Sequence, residues 1–142
     1  MTEVWPQDSG LTVSGDSNGL AVSDFDRDGD LDAMIAVNDD PLEVLRNEKS
    51  KPVVAIELVG KDGNQSAIGA SIVLEGSFGK QRHEVTAGGS YLSQSSSRVT
   101  LSAERLKAVE KMTIHWPDGT KTERSPGEVK DGVIKVEQGK TL

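Results

Sequence analysis

The sequence predicts an all-β protein, a sandwich or barrel of short strands, on three observations. Apolar and polar residues alternate over short runs, as in Lys111 to Trp116, where Met112, Ile114 and Trp116 share one face. Glycine and polar turn residues interrupt those runs at close intervals, and the chain holds 15 glycines and 5 prolines. A helix signal of only a turn or two occurs, at Ser102-Ala103-Glu104-Arg105-Leu106, with Ser102 as its N-cap.

In chain order, Gly19 to Ser23 reads as a strand that enters an acidic loop, and Ala33 to Val37 as the strand that leaves it. Asn38-Asp39-Asp40-Pro41 is a turn, and Leu42 to Leu45 a further short strand. The polar stretch Asn47 to Pro52 marks a boundary, giving domains over 1–50 and 51–142. Val53 to Val59 is a long strand with Val54, Ile56 and Leu58 on one face. Ala70 to Glu75 and Gln81 to Thr86 form a hairpin across Gly76 to Lys80. Gly88-Gly89-Ser90 breaks the pattern, Tyr91 to Ser97 is a polar loop, and Arg98 to Leu101 resumes as strand. Pro117-Asp118-Gly119 is a tight turn after Trp116, and Gly132 to Val136 closes the sheet.

Composition narrows the function classes. The 142 residues match the size of one ordinary domain, with 35% apolar residues, so a real core is within reach. Aromatics are 4%, too few for a stacking platform on single-stranded nucleic acid. A net charge of −7 repels phosphate backbones, so no nucleic-acid partner is expected. No apolar run approaches the ~20 residues of a spanning helix, so no membrane span is expected either. Met1 leads straight into Thr2-Glu3-Val4, without a secretory leader; an exported parent would have lost its leader or been cut into this piece. Cysteine is absent, which removes disulfides, thiolate zinc sites and a cysteine nucleophile.

The charge is concentrated. Eight acids and one base, Arg27, fall between Asp24 and Glu43, so that stretch carries the whole imbalance and the remainder is neutral. Like charges so closely spaced repel, and a folded chain needs a reason to hold them. The motif Asp24-Phe25-Asp26-Arg27-Asp28-Gly29-Asp30-Leu31-Asp32 supplies one. Acids occupy positions 1, 3, 5, 7 and 9, with glycine at 6 for a sharp turn. Calcium takes about six to eight oxygen ligands, and a loop of alternating carboxylates wraps oxygens around one point. Asp24, Asp26, Asp28 and Asp32 are the side-chain ligands expected, with Asp30 contributing its carbonyl. Magnesium, which keeps more of its waters, fits less well. Position 12 is Ile35, within a strand, so the loop is a shortened calcium loop between strands. Phe25 and Leu31 are expected to anchor the loop ends in a core, and Arg27 to face solvent.

Gly19 to Asn47 resembles one FG-GAP (VCBS-type) repeat, whose hallmark is Asp-x-Asp-x-Asp-Gly-x-x-Asp between two strands. Leu42-Glu43-Val44-Leu45-Arg46-Asn47 is similar to the usual end of that repeat. The resemblance implies a β-propeller blade, largely found in extracellular proteins, and a single blade cannot close a propeller. Residues from about Pro52 resemble the ASPIC/UnbV domain, which follows such repeats in bacterial secreted proteins and in cartilage acidic protein. The matching segments are Ile68-Gly69-Ala70, Gly88-Gly89-Ser90-Tyr91-Leu92-Ser93-Gln94 and Ile114-His115-Trp116-Pro117-Asp118-Gly119. The two resemblances imply one blade unit with a calcium loop, followed by a sandwich- or barrel-like ASPIC/UnbV domain. They imply an extracellular, cell-surface or periplasmic module of a longer parent protein. The family's pattern often has glycines where this chain has Ser102 to Arg105.

The function that follows is a non-catalytic, calcium-stabilised adhesion or interaction module. The sequence leaves protein, glycan and self-association open as partners. Enzyme signals are absent: the serines around Ser90 lack a Gly-x-Ser-x-Gly elbow, and no phosphate loop or catalytic carboxylate pair stands out. The alternatives are calcium-dependent self-processing at Asp40-Pro41, an isopeptide crosslink, or an accessory role in a larger enzyme. Tyr91 to Gln94 is the best recognition loop, set against a loop folded back with Gln94 bonding backbone. His83 and His115 make a weak zinc case. Asn64-Gln65-Ser66 fits a glycosylation acceptor.

Overall fold

The computed structural model describes residues 10–13, 15–26, 28, 30–48 and 52–140. Among these residues lie ten strands: β1 (Ser17–Ser23), β2 (Asp32–Val37), β3 (Glu43–Leu45), β4 (Val53–Val59), β5 (Ser71–Gly76), β6 (Gly79–Glu84), β7 (Val99–Ser102), β8 (Val109–His115), β9 (Lys121–Arg124) and β10 (Val133–Glu137). One short helix, α1 (Ala103–Lys107), joins β7 to β8. The protein is all-β, as the alternating pattern requires. Residues 49–51 of the expected boundary, along with Arg27 and Gly29 of the acidic motif, lie outside the described residues.

Two compact units form. One comprises Met1–Ser50 with Gly88–Ser96, the other Lys51–Ala87 with Ser97–Leu142. In the first, β1, β2 and β3 make an antiparallel sheet. Leu20 sits opposite Ile35, Met34 opposite Val44 and Ala33 opposite Leu45. The acidic loop joins β1 to β2, and a turn with Asp39 at φ 57° joins β2 to β3. Its buried described residues are two carboxylates, Asp30 and Asp32. Phe25 and Leu31 are each 38% exposed, which corrects the expectation of core anchors. Hydrogen bonds to Asp32, rather than an apolar plug, hold that loop.

The second unit holds two sheets, β10-β4-β7 and β6-β5-β8-β9. Their alternating residues converge on one core that includes Ile56, Ile72, Leu74, Met112, Ile114, Trp116 and Ile134. Burying each such aliphatic side chain contributes about 1.5–3 kcal/mol. β10 runs parallel to β4, with Val133 opposite Ala55 and Glu137 opposite Val59. The last strand therefore closes the β10-β4-β7 sheet and not the one that holds β8 and β9. The β5–β6 connection is also tighter than expected. The strands run to Gly76 and from Gly79, and only Ser77 and Phe78 turn between them. Gly76 is required there, because a Cβ would strike the Ala108 carbonyl oxygen.

Ser102 caps α1 as predicted, its Oγ accepting from Arg105 N at 3.1 Å. The Arg105 guanidinium lies 3.9 Å above the Phe78 ring. Trp116 Nε1 donates to Thr122 Oγ1 at 2.8 Å, so this buried indole is satisfied. Asp118 in the following turn accepts from Thr120 N, Thr120 Oγ1 and Gln138 Nε2, and pairs with Lys61.

Candidate metal centre

The loop between β1 and β2 folds through its own carboxylates. Asp26 Oδ1 accepts from Asp28 N at 3.1 Å, and Asp28 Oδ1 from Asp30 N at 3.2 Å. Each is a side chain closing a turn on the backbone two residues later, which aspartate does readily. The alternation therefore builds the loop's path as well as its charge.

Three of the five predicted carboxylates come together. Oxygens of Asp24, Asp26 and Asp28 all lie within 4.8 Å of one another. Asp24 Oδ1 is shielded from water and receives no hydrogen bond. A carboxylate oxygen in that state carries a desolvation cost that a cation would remove. Asp30 and Asp32 do not join this group. Asp32 instead staples the loop ends: Oδ2 accepts from Phe25 N at 3.0 Å and Oδ1 from Asn47 N at 3.0 Å. Those amides, Asn47 first and Phe25 second, hold its carboxyl below the ordinary aspartate value.

Arg46, which follows β3, is a participant that sequence reasoning missed. Its Nε lies 2.6 Å from Asp26 Oδ2 and its Nη2 3.4 Å from Asp28 Oδ2. The Asp26 carboxylate in turn raises the guanidinium above its ordinary pKa. A signal was available: three residues of a short strand bring Arg46 back beside the acids, in a stretch with few other bases.

The Tyr91 loop also belongs to this unit, although its sequence position placed it in the second half. Ser93 Oγ accepts from Leu20 N at 3.0 Å and donates to Leu20 O at 2.8 Å. Ser95 Oγ accepts from Val22 N at 3.2 Å, and Ser96 N donates to Val22 O at 3.4 Å. Alternate serines thus satisfy the outer edge of β1 where a neighbouring strand would otherwise pair. Gln94 Oε1 accepts from Gly88 N, while Tyr91 and Leu92 stay largely exposed.

The Asn64 carboxamide exchanges two hydrogen bonds with the Ile68 backbone. Among the described residues the histidines join no group of metal-ligating side chains, and every lysine is exposed. Asp40 is exposed in its turn. No described helix is long and apolar enough to cross a membrane.

Fold and site together define an all-β chain of two units, a three-stranded sheet with an acidic loop and a sandwich-like domain. Residues 60–141 match the model of the ASPIC and UnbV family, over half of the chain, and the chain belongs to that family. No curated protein matches it.

Proposed function

We propose that this chain is a non-catalytic, calcium-binding interaction module of an extracellular protein, in which the ion stabilises the fold. The observation that carries the reading is the convergence of Asp24, Asp26 and Asp28, with a shielded and unpartnered oxygen on Asp24. Hard oxygen donors of this kind suit calcium. Asp24, Asp26 and Asp28 would hold it. Asp32 is the expected fourth carboxylate, and Asp30 the expected carbonyl donor. The ion would supply charge neutralisation and tie β1 to β2, and no reaction step is assigned to it.

The resemblance of 19–47 to an FG-GAP (VCBS-type) repeat supports the same reading. Together with the family match it favours a cartilage acidic protein-like architecture, in which this chain is part of a longer, exported protein. Isothermal titration tests the site directly. Wild-type protein should take up calcium, and Asp28→Ala should take it up far more weakly. Equal uptake by the two proteins would refute the assignment.

A further inference from the structure

We propose that the first unit carries a docking groove, beside Tyr91 and Leu92, for an apolar side chain of a basic polypeptide segment. The groove is shallow and open to solvent, and offers about 350 Å³ between Ser17–Leu20, Ile35, Ser90 and Tyr91. That volume is sufficient for one large side chain. No lining residue carries a charge, and Leu20 and Ile35 give it an apolar floor.

The turn that walls the groove is built to present, not to bury. Ser90 and Ser93 pair across it, leaving Tyr91 and Leu92 at the tip, 76% and 78% exposed. Leu92 sits at φ 54°, a left-handed conformation that a leucine adopts at a cost. Burial offsets little of that cost, since both residues are largely exposed. The serine hydroxyl bonds to Leu20 and Val22 fix the base of the turn on β1, so the tip is held and not loose.

Charge selects the occupant. The first unit holds twelve acids and three bases, so one divalent ion leaves it strongly acidic. Acids also stand near one end of the groove. Asp16 directly precedes Ser17, and its carbonyl accepts from Asn38 N at 2.9 Å, which brings the Asn38–Asp40 turn alongside. Asp16, Asp39 and Asp40 are all exposed, and all lie outside the Asp24–Asp32 loop. A lysine- or arginine-rich segment gains from that field while its apolar residue enters the groove. An anionic partner is repelled, and a neutral sugar gains nothing from this charge.

Fluorescence anisotropy on the full chain in millimolar calcium tests this, with a short labelled lysine–serine peptide carrying one central leucine. Binding is expected to weaken about fivefold to tenfold on Tyr91→Ala, and similarly on Asp39→Asn combined with Asp40→Asn. Unchanged melting temperatures would show that these variants fold. Serine in place of the peptide's leucine should weaken binding, and glutamate in place of its lysines should abolish it. The proposal is overturned if no peptide binds, or if the leucine-free or glutamate peptide binds as well as the parent. It is also overturned if light scattering shows a second copy of the chain on this face, lost on Tyr91→Ala. A neutral oligosaccharide whose binding needs Tyr91, when the basic peptide's does not, would overturn it in favour of a glycan site.

Discussion

Arg46 Nε lies 2.6 Å from Asp26 Oδ2, so a cation of the chain itself already spans the acidic loop. Its Nη2 reaches Asp28, and both carboxylates belong to the group that would hold calcium. A bound calcium ion would compete with the guanidinium for the same oxygens. Arg46→Gln should therefore bind calcium several times more tightly in titration, and should melt slightly earlier than wild type in chelator. Weaker calcium binding by the variant would show that Arg46 supports the site instead of competing for it.

Calcium should raise thermal stability. Close carboxylate pairs cost on the order of 1–4 kcal/mol each, depending on local dielectric, and some of that is relieved by proton uptake or loop opening. Binding only the folded state at a hundredfold excess over Kd adds about 2.7 kcal/mol, or roughly 5–15 °C in melting midpoint. Asp24→Asn should recover part of that gain in chelator. Coincident melts with and without calcium would leave the loop a solvated acidic patch.

Ile134→Ala should destabilise the second unit by about 2–5 kcal/mol, the usual cost of emptying a buried aliphatic site. Ile134 is 1% exposed and lies opposite Ile56 on the β10–β4 pair. Urea unfolding would read the loss as a lower midpoint.

Gly76→Ala should cost about 1–3 kcal/mol by overpacking, since the new methyl meets the Ala108 carbonyl and one strand must shift. Gly79→Ala tests a different mechanism. No atom would crowd its Cβ, but its φ of 88° strains any side chain. Amide spectra should show shifts at Ala108 for the first variant and not for the second.

Asp118 gives the second unit a defined acid sensitivity. Thr120 holds its carboxyl below the ordinary 3.8, through the hydroxyl and then the amide, and Lys61 assists. A depressed folded pKa contributes stability that is fully present above 3.8 and is lost as pH falls through the lower folded value. Thr120→Val should move the Asp118 titration up toward its ordinary value in carbonyl-detected NMR. Asp118→Asn should flatten the acid limb of the stability curve.

Strand periodicity was legible wherever one face is buried. Met112, Ile114 and Trp116 alternate because they point into a core, and the structure buries all three. Ser102 announced its helix by a local bond that needs no tertiary context. The partner of β10 was not legible, because parallel and antiparallel pairing leave the same pattern in Val133 to Val136. The placement of Gly88–Ser96 was hidden for a similar reason. Serines that bond a distant strand edge read locally as a polar loop. In the acidic motif, spacing revealed the cluster of Asp24, Asp26 and Asp28. It could not reveal that Asp32 would be taken by two backbone amides, since Asn47 approaches only once β3 has folded back.

The parallel pairing of β10 with β4 has a kinetic consequence. Val133 must find Ala55, and Gln138 N must reach Val59 O, across most of the second unit's length. Contacts so distant in sequence are slow to form, because loop-closure entropy is lost before any pairing compensates. During synthesis β4 can pair with β7, but its other edge stays bare until residues 133–137 leave the ribosome. Ile56 and Leu58 lie on the strand that waits. Nascent chains of this protein are therefore open to aggregation at that edge until β10 emerges, and a chaperone that shields it would protect them.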